Sequence, residues 1–465
     1  MADTDQALRE PPETPVRDED GAIDAGFLAR VSRALADSDL ATLRECVADL
    51  HEADLGALLE ALPPDERPRL ISLLGADFDF TALTEVDDAV REEILEELSP
   101  ETVAEGVREL DTDDAVYILE DLDEEDKREV LDKLPAAERI AFQQGLDYPE
   151  DSAGRRMQGD VVAVPPFWSV GQTIDYLRQA ADLPERFFEI FVADPAHHFV
   201  GTVRLDRLLR TRRPVMVSDL VEEDSRVVRA AQDIEEAARL FQRYNLVAAP
   251  VVDDAGRLVG VLTIDDIVDV IEEAADDEIK QLGGVDADEE LSDPVHRIAR
   301  SRFSWLFVNL VTSFMAAAVM SLFEAELAKT VALAILAPIV ASQGGNAATQ
   351  TMTVAVRALA TRELGTRNLK RFFNREMIVG AINGIGFAVI TGVVAAIWFS
   401  SADLGFVIGL AMIANLVAAA AAGVLIPLAL DRLDIDPAVS SGTFVTTVTD
   451  IVGFFAFLGI AALWL

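Results

Sequence analysis

Leucine returns every twelve residues early in the chain, at 50, 62, 74, 98, 110, 122, 134 and 146, with Val86 filling the one gap. Between these marks lie short amphipathic stretches such as SPETVAEGVREL, DTDDAVYILEDL and DEEDKREVLDKL, each opening on Ser or Asp. A Ser or Asp there accepts from the orphan amides of a first helical turn, and Pro100 or Pro135 suits the same place. Helices this short do not hold alone in water, so neighbours must stack and share a buried stripe. Residues 24–148 therefore predict an all-α superhelical domain, with an ordinary helical bundle as the alternative. Residues 1–23, polar and proline-rich, predict a disordered tail.

The pattern then changes. VVAVPPFWSVGQTIDYLRQA and SRVVRAAQDIEEAARLFQRYNLVAAPVVDDAGRLVGVLTIDDIVDVI each run from an extended segment into a helix. The second continues through two apolar strands around Ala255-Gly256 into a helix opened by aspartates. On APVVDDAGRLVGVLTIDDI, residues 214–272 resemble a CBS domain. EIFVADPAHHFVGTVRLDRLL places a weaker copy over 158–213, and the resemblance implies an α+β tandem CBS pair of the kind that senses adenosine nucleotides or ions. Residues 273–300, charged and interrupted by Gly283-Gly284, predict a connecting helix.

From residue 301 the chain is largely apolar. Runs over 303–323, 328–357, 377–399, 404–430 and 441–465 each match the roughly 20 residues that span a bilayer, so a five-helix α-helical transmembrane domain is expected. Arg297, Arg300, Arg302 and the cluster from Arg357 to Arg375 hold most of the basic residues near these helices. Positive-inside bias puts the amino terminus and all soluble domains in the cytoplasm and the carboxyl terminus outside a cell membrane.

Charge separates the same two halves. Of 82 acidic and 39 basic residues, nine and eight fall from Phe303 onward, leaving 73 and 31 in the first 302. Only five of the basic residues are lysines. Such a carboxylate coat suits the molar salt of a halophile's cytoplasm, where a Debye length of about 3 Å screens self-repulsion. It repels phosphates, so nucleic acid is not an expected partner. A single cysteine, Cys46, excludes a disulfide framework, and with no Walker motif and no His/Cys metal site an enzyme is not expected.

The candidate chemistry lies in the apolar half. APIVASQGGNAATQT, residues 337–351, carries Pro338, Gly344, Gly345, Asn346 and Gln350 at membrane depth. Pro338 removes a helical donor and the glycines loosen the next turn, which hydrocarbon tolerates only beside protein or a watery cavity. Asn346 and Gln350, four apart, share one helical face. Interhelical packing with amides as glue is the alternative. GTFVTTVTDIVGFFAFLGI then sets Asp450 among apolar residues, where an aspartate costs ~2.5–3.5 kcal/mol. No basic residue shares that segment, so a cation or water in a pore is the expected partner, against a protonated Asp bonded to a neighbouring helix. Thr446 and Thr447 add hydroxyls about one turn away. One carboxylate among neutral oxygens suits Mg²⁺, which dehydrates reluctantly.

With SQGGNAATQT, VRALATREL and TTVTDIVGF in place, residues ~24–465 resemble the MgtE family of magnesium channels or transporters. The resemblance implies a homodimer, Asp450 as the pore residue holding hydrated Mg²⁺, and a cytosolic Mg²⁺ lock that closes the pore when magnesium is plentiful. By local motif the lock falls on Glu101, Glu105, Asp233, Glu235, Asp266, Asp269 and Asp436, while Asn245 stands where an acid is expected. Asp265 is the candidate nucleotide contact, with ATP binding left open. Mg²⁺ is then both substrate and regulator. The rival readings are a coupled Mg²⁺ exchanger and a non-transporting magnesium or nucleotide sensor.

Overall fold

A computed structural model describes residues 16–465 except 49, 181–182, 185, 223–224, 288, 290–292, 363, 365, 434 and 436. It divides into two compact units, residues 1–274 and 275–465.

The first unit opens with α1 (Ala25–Asp37), α2 (Leu40–Val47), α3 (Glu52–Ala61), α4 (Arg67–Leu74), α5 (Asp88–Glu97), α6 (Pro100–Val107), α7 (Thr112–Glu120), α8 (Glu124–Lys133) and α9 (Ala136–Leu146). The twelve-residue leucines fall where helices end: Leu62, Leu98 and Leu134 are the C-caps of α3, α5 and α8. One continuous core runs from Phe27 to Phe142, as expected of stacked short helices.

The same period carries a second signal. Arg67 Nε donates to the carbonyls of Leu59 and Leu62, both at 3.1 Å, closing the end of α3. Arg91, 1% exposed, sits 24 residues later and reaches the carbonyls of Leu83 and Val86 with the same backward offsets. Lys127, 36 residues on again, donates to Glu120 O at the end of α7. A cation from the following helix thus satisfies carbonyls that a short helix leaves orphaned. Arg91 is also held by Asp88 and Asp121, and its guanidinium lies 4.2 Å from the Tyr117 ring, which Arg156 approaches to 4.4 Å.

Two small sheets follow, built alike. β1 (Ala163–Val164), α10 (Val170–Gln179), β2 (Glu189–Ala193), β3 (Phe199–Arg204) and α11 (Leu205–Leu209) are matched by β4 (Val228–Arg229), α12 (Ile234–Tyr244), β5 (Ala248–Val252), β6 (Leu258–Thr263) and α13 (Ile264–Leu282). In each, a parallel pair is joined to an antiparallel hairpin with a register shift one residue before its turn. Asp194 and Asp253 make equivalent turns, each accepting from amides two and four residues on. His197 at φ +63° occupies the left-handed position that Gly256 fills in the second copy at +80°, which makes the first signature hard to read. The hairpins pair tip to tip through His197 O and Gly256 O.

Over 273–300, expected as a connecting helix interrupted at Gly283-Gly284, the described residues hold the end of one helix and the start of another. α13 runs unbroken to Leu282 and stops at Gly283-Gly284, where Gly284 takes φ +74°. The next helix, α14 (Val295–Ser321), begins after the gap and already belongs to the apolar set.

The second unit contains α14, the short α15 (Glu324–Lys329), α16 (Val331–Ala360), α17 (Thr366–Trp398), α18 (Ala402–Asp431) and α19 (Pro437–Trp464). Five of these, all but α15, are long and apolar enough to cross a membrane. α18 is the most enclosed, against α16, α17 and α19, whereas α14 is almost wholly exposed. Small residues permit this: Gly380 of α17 lies against the Leu416 carbonyl and Gly392 against that of Gly405.

Candidate ion pathway and acidic cluster

The break expected at Pro338 and Gly344-Gly345 does not occur: α16 is continuous from Val331 to Ala360. Pro338 forfeits one helical bond while α18 and α19 pack along the rest. The residues of this stretch divide between two faces. Pro338, Ser342, Asn346, Thr349, Gln350 and Thr353 are exposed, a polar stripe on a helix of membrane length. Gly344 is turned inward against Asn415 of α18 and is not on that stripe. Gly345 lies beside α19, where a side-chain carbon would sit 3.8 Å from Thr446 Cγ2.

Asp450 stands at the midpoint of α19 and is half-buried. Among the described residues it has neither an ion-pair partner nor a hydrogen-bond donor. The threonines before it spend their hydroxyl protons on their own helix: Thr446 on Gly442 O at 2.9 Å, Thr447 on Thr443 O at 2.6 Å and Thr449 on Thr446 O at 2.8 Å. Thr447 and Thr449 are buried, so of the two threonines proposed from sequence only Thr446 has an open surface. Glu376 of α17 makes an instructive contrast. It is more deeply buried, yet Arg375 pairs with it at 2.9 Å and Thr351 donates to it at 3.3 Å.

In the first unit the structure gathers a carboxylate cluster that the sequence reading found only in part. Asp113 and Asp114 open α7, Asp265 and Asp266 open α13 with Asp269 about one turn further on, and Glu85 joins them. Burial, then the Asp266 charge, pushes Asp114 up to about 7. Burial raises Asp266 to about 6 against the opposing bond from the Thr263 hydroxyl, which donates at 2.6 Å. Burial, then Asp266, lifts Asp113 well above the ordinary range, and its Oδ1 is buried without a partner. Burial followed by the Asp269 charge raises Glu85. No three His, Cys, Asp or Glu side chains form a closed metal shell among the described residues.

The other proposed lock residues have local occupations. Glu101 accepts from Lys133 at 2.6 Å, Asp233 caps α12 through Glu236 N, and Glu235 pairs with Arg239 at 3.2 Å. Glu105 is exposed on α6. Asp436 lies outside the described residues. Asn245 has a structural reason to be Asn: it is the C-cap of α12 at φ +52°.

A small cleft, open to solvent, is lined by Asp160, Val162, Arg186, Phe187, Glu189 and Thr263, among others. Burial and then the Glu222 charge push Glu189 up to about 7, partly offset by Arg204. Asp160 lines this cleft directly, and Asp266 is linked to it through its bond with Thr263. Asp265, the residue proposed from sequence, is exposed and does not line it.

A stacked-repeat helical domain, a pair of CBS-like folds and five membrane-length helices with an unpaired mid-helix carboxylate define a multidomain membrane transporter. The family model described as a divalent cation transporter matches residues 337–460, the MgtE intracellular N domain matches 50–151, and a CBS domain matches 215–273. The chain belongs to the MgtE family. It is 32% identical over 452 residues to the magnesium transporter MgtE of Thermus thermophilus, covering 94% of this chain and 98% of that one. To the Bacillus subtilis magnesium transporter MgtE it is 30% identical, covering 94% and 96%. Among solved structures, the cytosolic domain of the Mg²⁺ channel MgtE in complex with ATP is 31% identical with a TM-score of 0.49, covering 52% of this chain and 99% of that one.

Proposed function

We propose that this protein admits Mg²⁺ across the cell membrane through a pore at Asp450 and is closed by Mg²⁺ bound within its soluble domains. The observation that carries the reading is Asp450 itself, uncompensated at mid-helix where Glu376 is paired. A lone carboxylate beside neutral hydroxyls and amides suits an ion that keeps its waters. The exposed polar stripe of α16 needs cover from lipid, and a second copy facing it across a shared axis supplies that, which supports a homodimer. Inward flow down the membrane potential gains ~4.6 kcal/mol per divalent ion at 100 mV, so no coupled energy source is required.

For the lock, Asp113 and Asp114, together with Asp266 from the set taken from motifs, are the preferred candidates, because burial and the charges of neighbouring carboxylates raise all three. A bound cation would relieve that penalty, and Asp113 Oδ1 offers a free acceptor. Mg²⁺ binding would favour the arrangement that brings α7 to α13 and shift the population closed. ATP suits the cleft, where Arg186 and Phe187 provide a cation and a ring, and the Thr263–Asp266 bond would link its occupancy to the lock.

The test is ion flux in liposomes holding the full chain. A conductance whose reversal potential follows the Mg²⁺ gradient alone supports a channel, and dependence on Na⁺ or H⁺ gradients indicates exchange. Asp450→Asn should lower flux about 100-fold, the scale of ~3 kcal/mol for removing one partner of a desolvated ion pair. Undiminished flux in that variant would remove the pore assignment of Asp450, and absence of flux from the wild-type chain would point to the sensor reading.

A further inference from the structure

Asn415 lies at the midpoint of α18 and is completely buried. Its Nδ2 donates to Val340 O of α16 at 2.8 Å. An asparagine amide can make about four hydrogen bonds, yet Oδ1 here has no partner. Two glycines make room for it on two other helices. A side-chain carbon on Gly344 of α16 would overlap Asn415 Nδ2, and one on Gly453 of α19 would lie 2.8 Å from the same atom. Gly453 follows Asp450 by three residues, nearly one turn. One amide therefore touches α16 and α19 at the depth of Asp450, and Asn415 explains both glycines through space.

An apolar side chain would fill the same space without the ~1–3 kcal/mol cost of an unmade hydrogen bond, so the amide is kept for what its bond to Val340 fixes. We propose that Asn415 is a positioning residue: wedged between Gly344 and Gly453 and tied to Val340, it sets the spacing of α16 and α19 and hence the width available to a hydrated cation beside Asp450. The inference rests on the pore reading of Asp450. It assigns the Gly-Gly stretch two jobs, Gly344 for the wedge and Gly345 for the approach to Thr446.

The test uses the full chain in liposomes, with Mg²⁺ and Ca²⁺ uptake measured separately. Asn415→Leu keeps the branched outline and removes both the bond and the orphan oxygen, and the yield of folded protein in the membrane shows whether its bulkier methyls are accepted. Its Mg²⁺-to-Ca²⁺ uptake ratio should fall about tenfold, the scale of one lost hydrogen bond. Gly344→Ala alone should lose most flux through the clash, and adding Asn415→Ala should restore flux with the ratio still lowered. A wild-type ratio in Asn415→Leu, or in the double variant if the first does not fold, overturns the proposal. So does failure of both to reach the membrane, which would make Asn415 a folding residue only. Asp450→Asn run in parallel separates the two ideas: flux that survives it removes the pore reading, whereas flux lost there with an unchanged Asn415→Leu ratio removes this inference alone.

Discussion

Arg91 in the soluble unit and Asn415 in the membrane unit are both almost fully enclosed, yet their surroundings differ. Arg91 has two carboxylates, two carbonyls and an aromatic face; Asn415 has one carbonyl and an oxygen left over. The soluble unit carries so many acids that a buried cation always finds partners, and its difficulty is carboxylates forced together, as at Asp113, Asp114 and Asp266. The membrane unit has few charges, and its difficulty is the reverse: polar groups with too little to bind. Asp113 Oδ1 in the first unit and Asn415 Oδ1 in the second are among the buried acceptors left without a partner, and in the proposed reading both lie where Mg²⁺ acts.

The largest way to break this contrast is Arg91→Ala, which strands Asp121 and two carbonyls and should destabilise the helical domain by about 3–5 kcal/mol. Urea unfolding followed by proteolysis of the intact chain measures it, and Arg91→Lys should recover only part because one ammonium cannot replace the fork. Next comes pH. Asp114 at about 7 and Asp266 at about 6 lie above the ordinary carboxyl value of 3.8, so the folded state keeps protons that the unfolded chain has released. Without Mg²⁺, stability should therefore fall as pH rises from about 4 through 7, by of the order of 2 kcal/mol after screening. Saturating Mg²⁺ should flatten that slope, as should Asp114→Asn.

A smaller effect is expected from Asp113→Asn and Asp266→Asn in flux assays with internal Mg²⁺ varied. Both should raise the closing concentration about 5- to 10-fold, and an unchanged threshold would remove the cluster from the lock. Smallest of all, Glu101→Gln should leave that threshold unchanged, because Lys133 already occupies the carboxylate.

The twelve-residue leucines, the strand-turn-strand signature of the second CBS-like copy and the five apolar runs were legible because each is a local period or motif. Asp450 was legible for the same reason, a charge out of place in its own segment. Asn415 was not: a lone Asn in an alanine-rich helix gives no signal until Val340, 75 residues away, is placed beside it. Asp113 and Asp114 look like ordinary helix-opening acids until α13 is packed against them. The helix-breaking reading of Gly344 failed because a glycine's missing side chain was credited to backbone freedom when a neighbour needed the space.

The cations that close the short helices all reach backward along the chain, from 67 to 59 and 62, from 91 to 83 and 86, and from 127 to 120. A growing polypeptide therefore has each finished helix tied off after only five to eight more residues have emerged, with nothing owed to distant sequence. Such a domain can order in step with its own synthesis, one repeat at a time, and would stand complete before the first membrane helix leaves the ribosome.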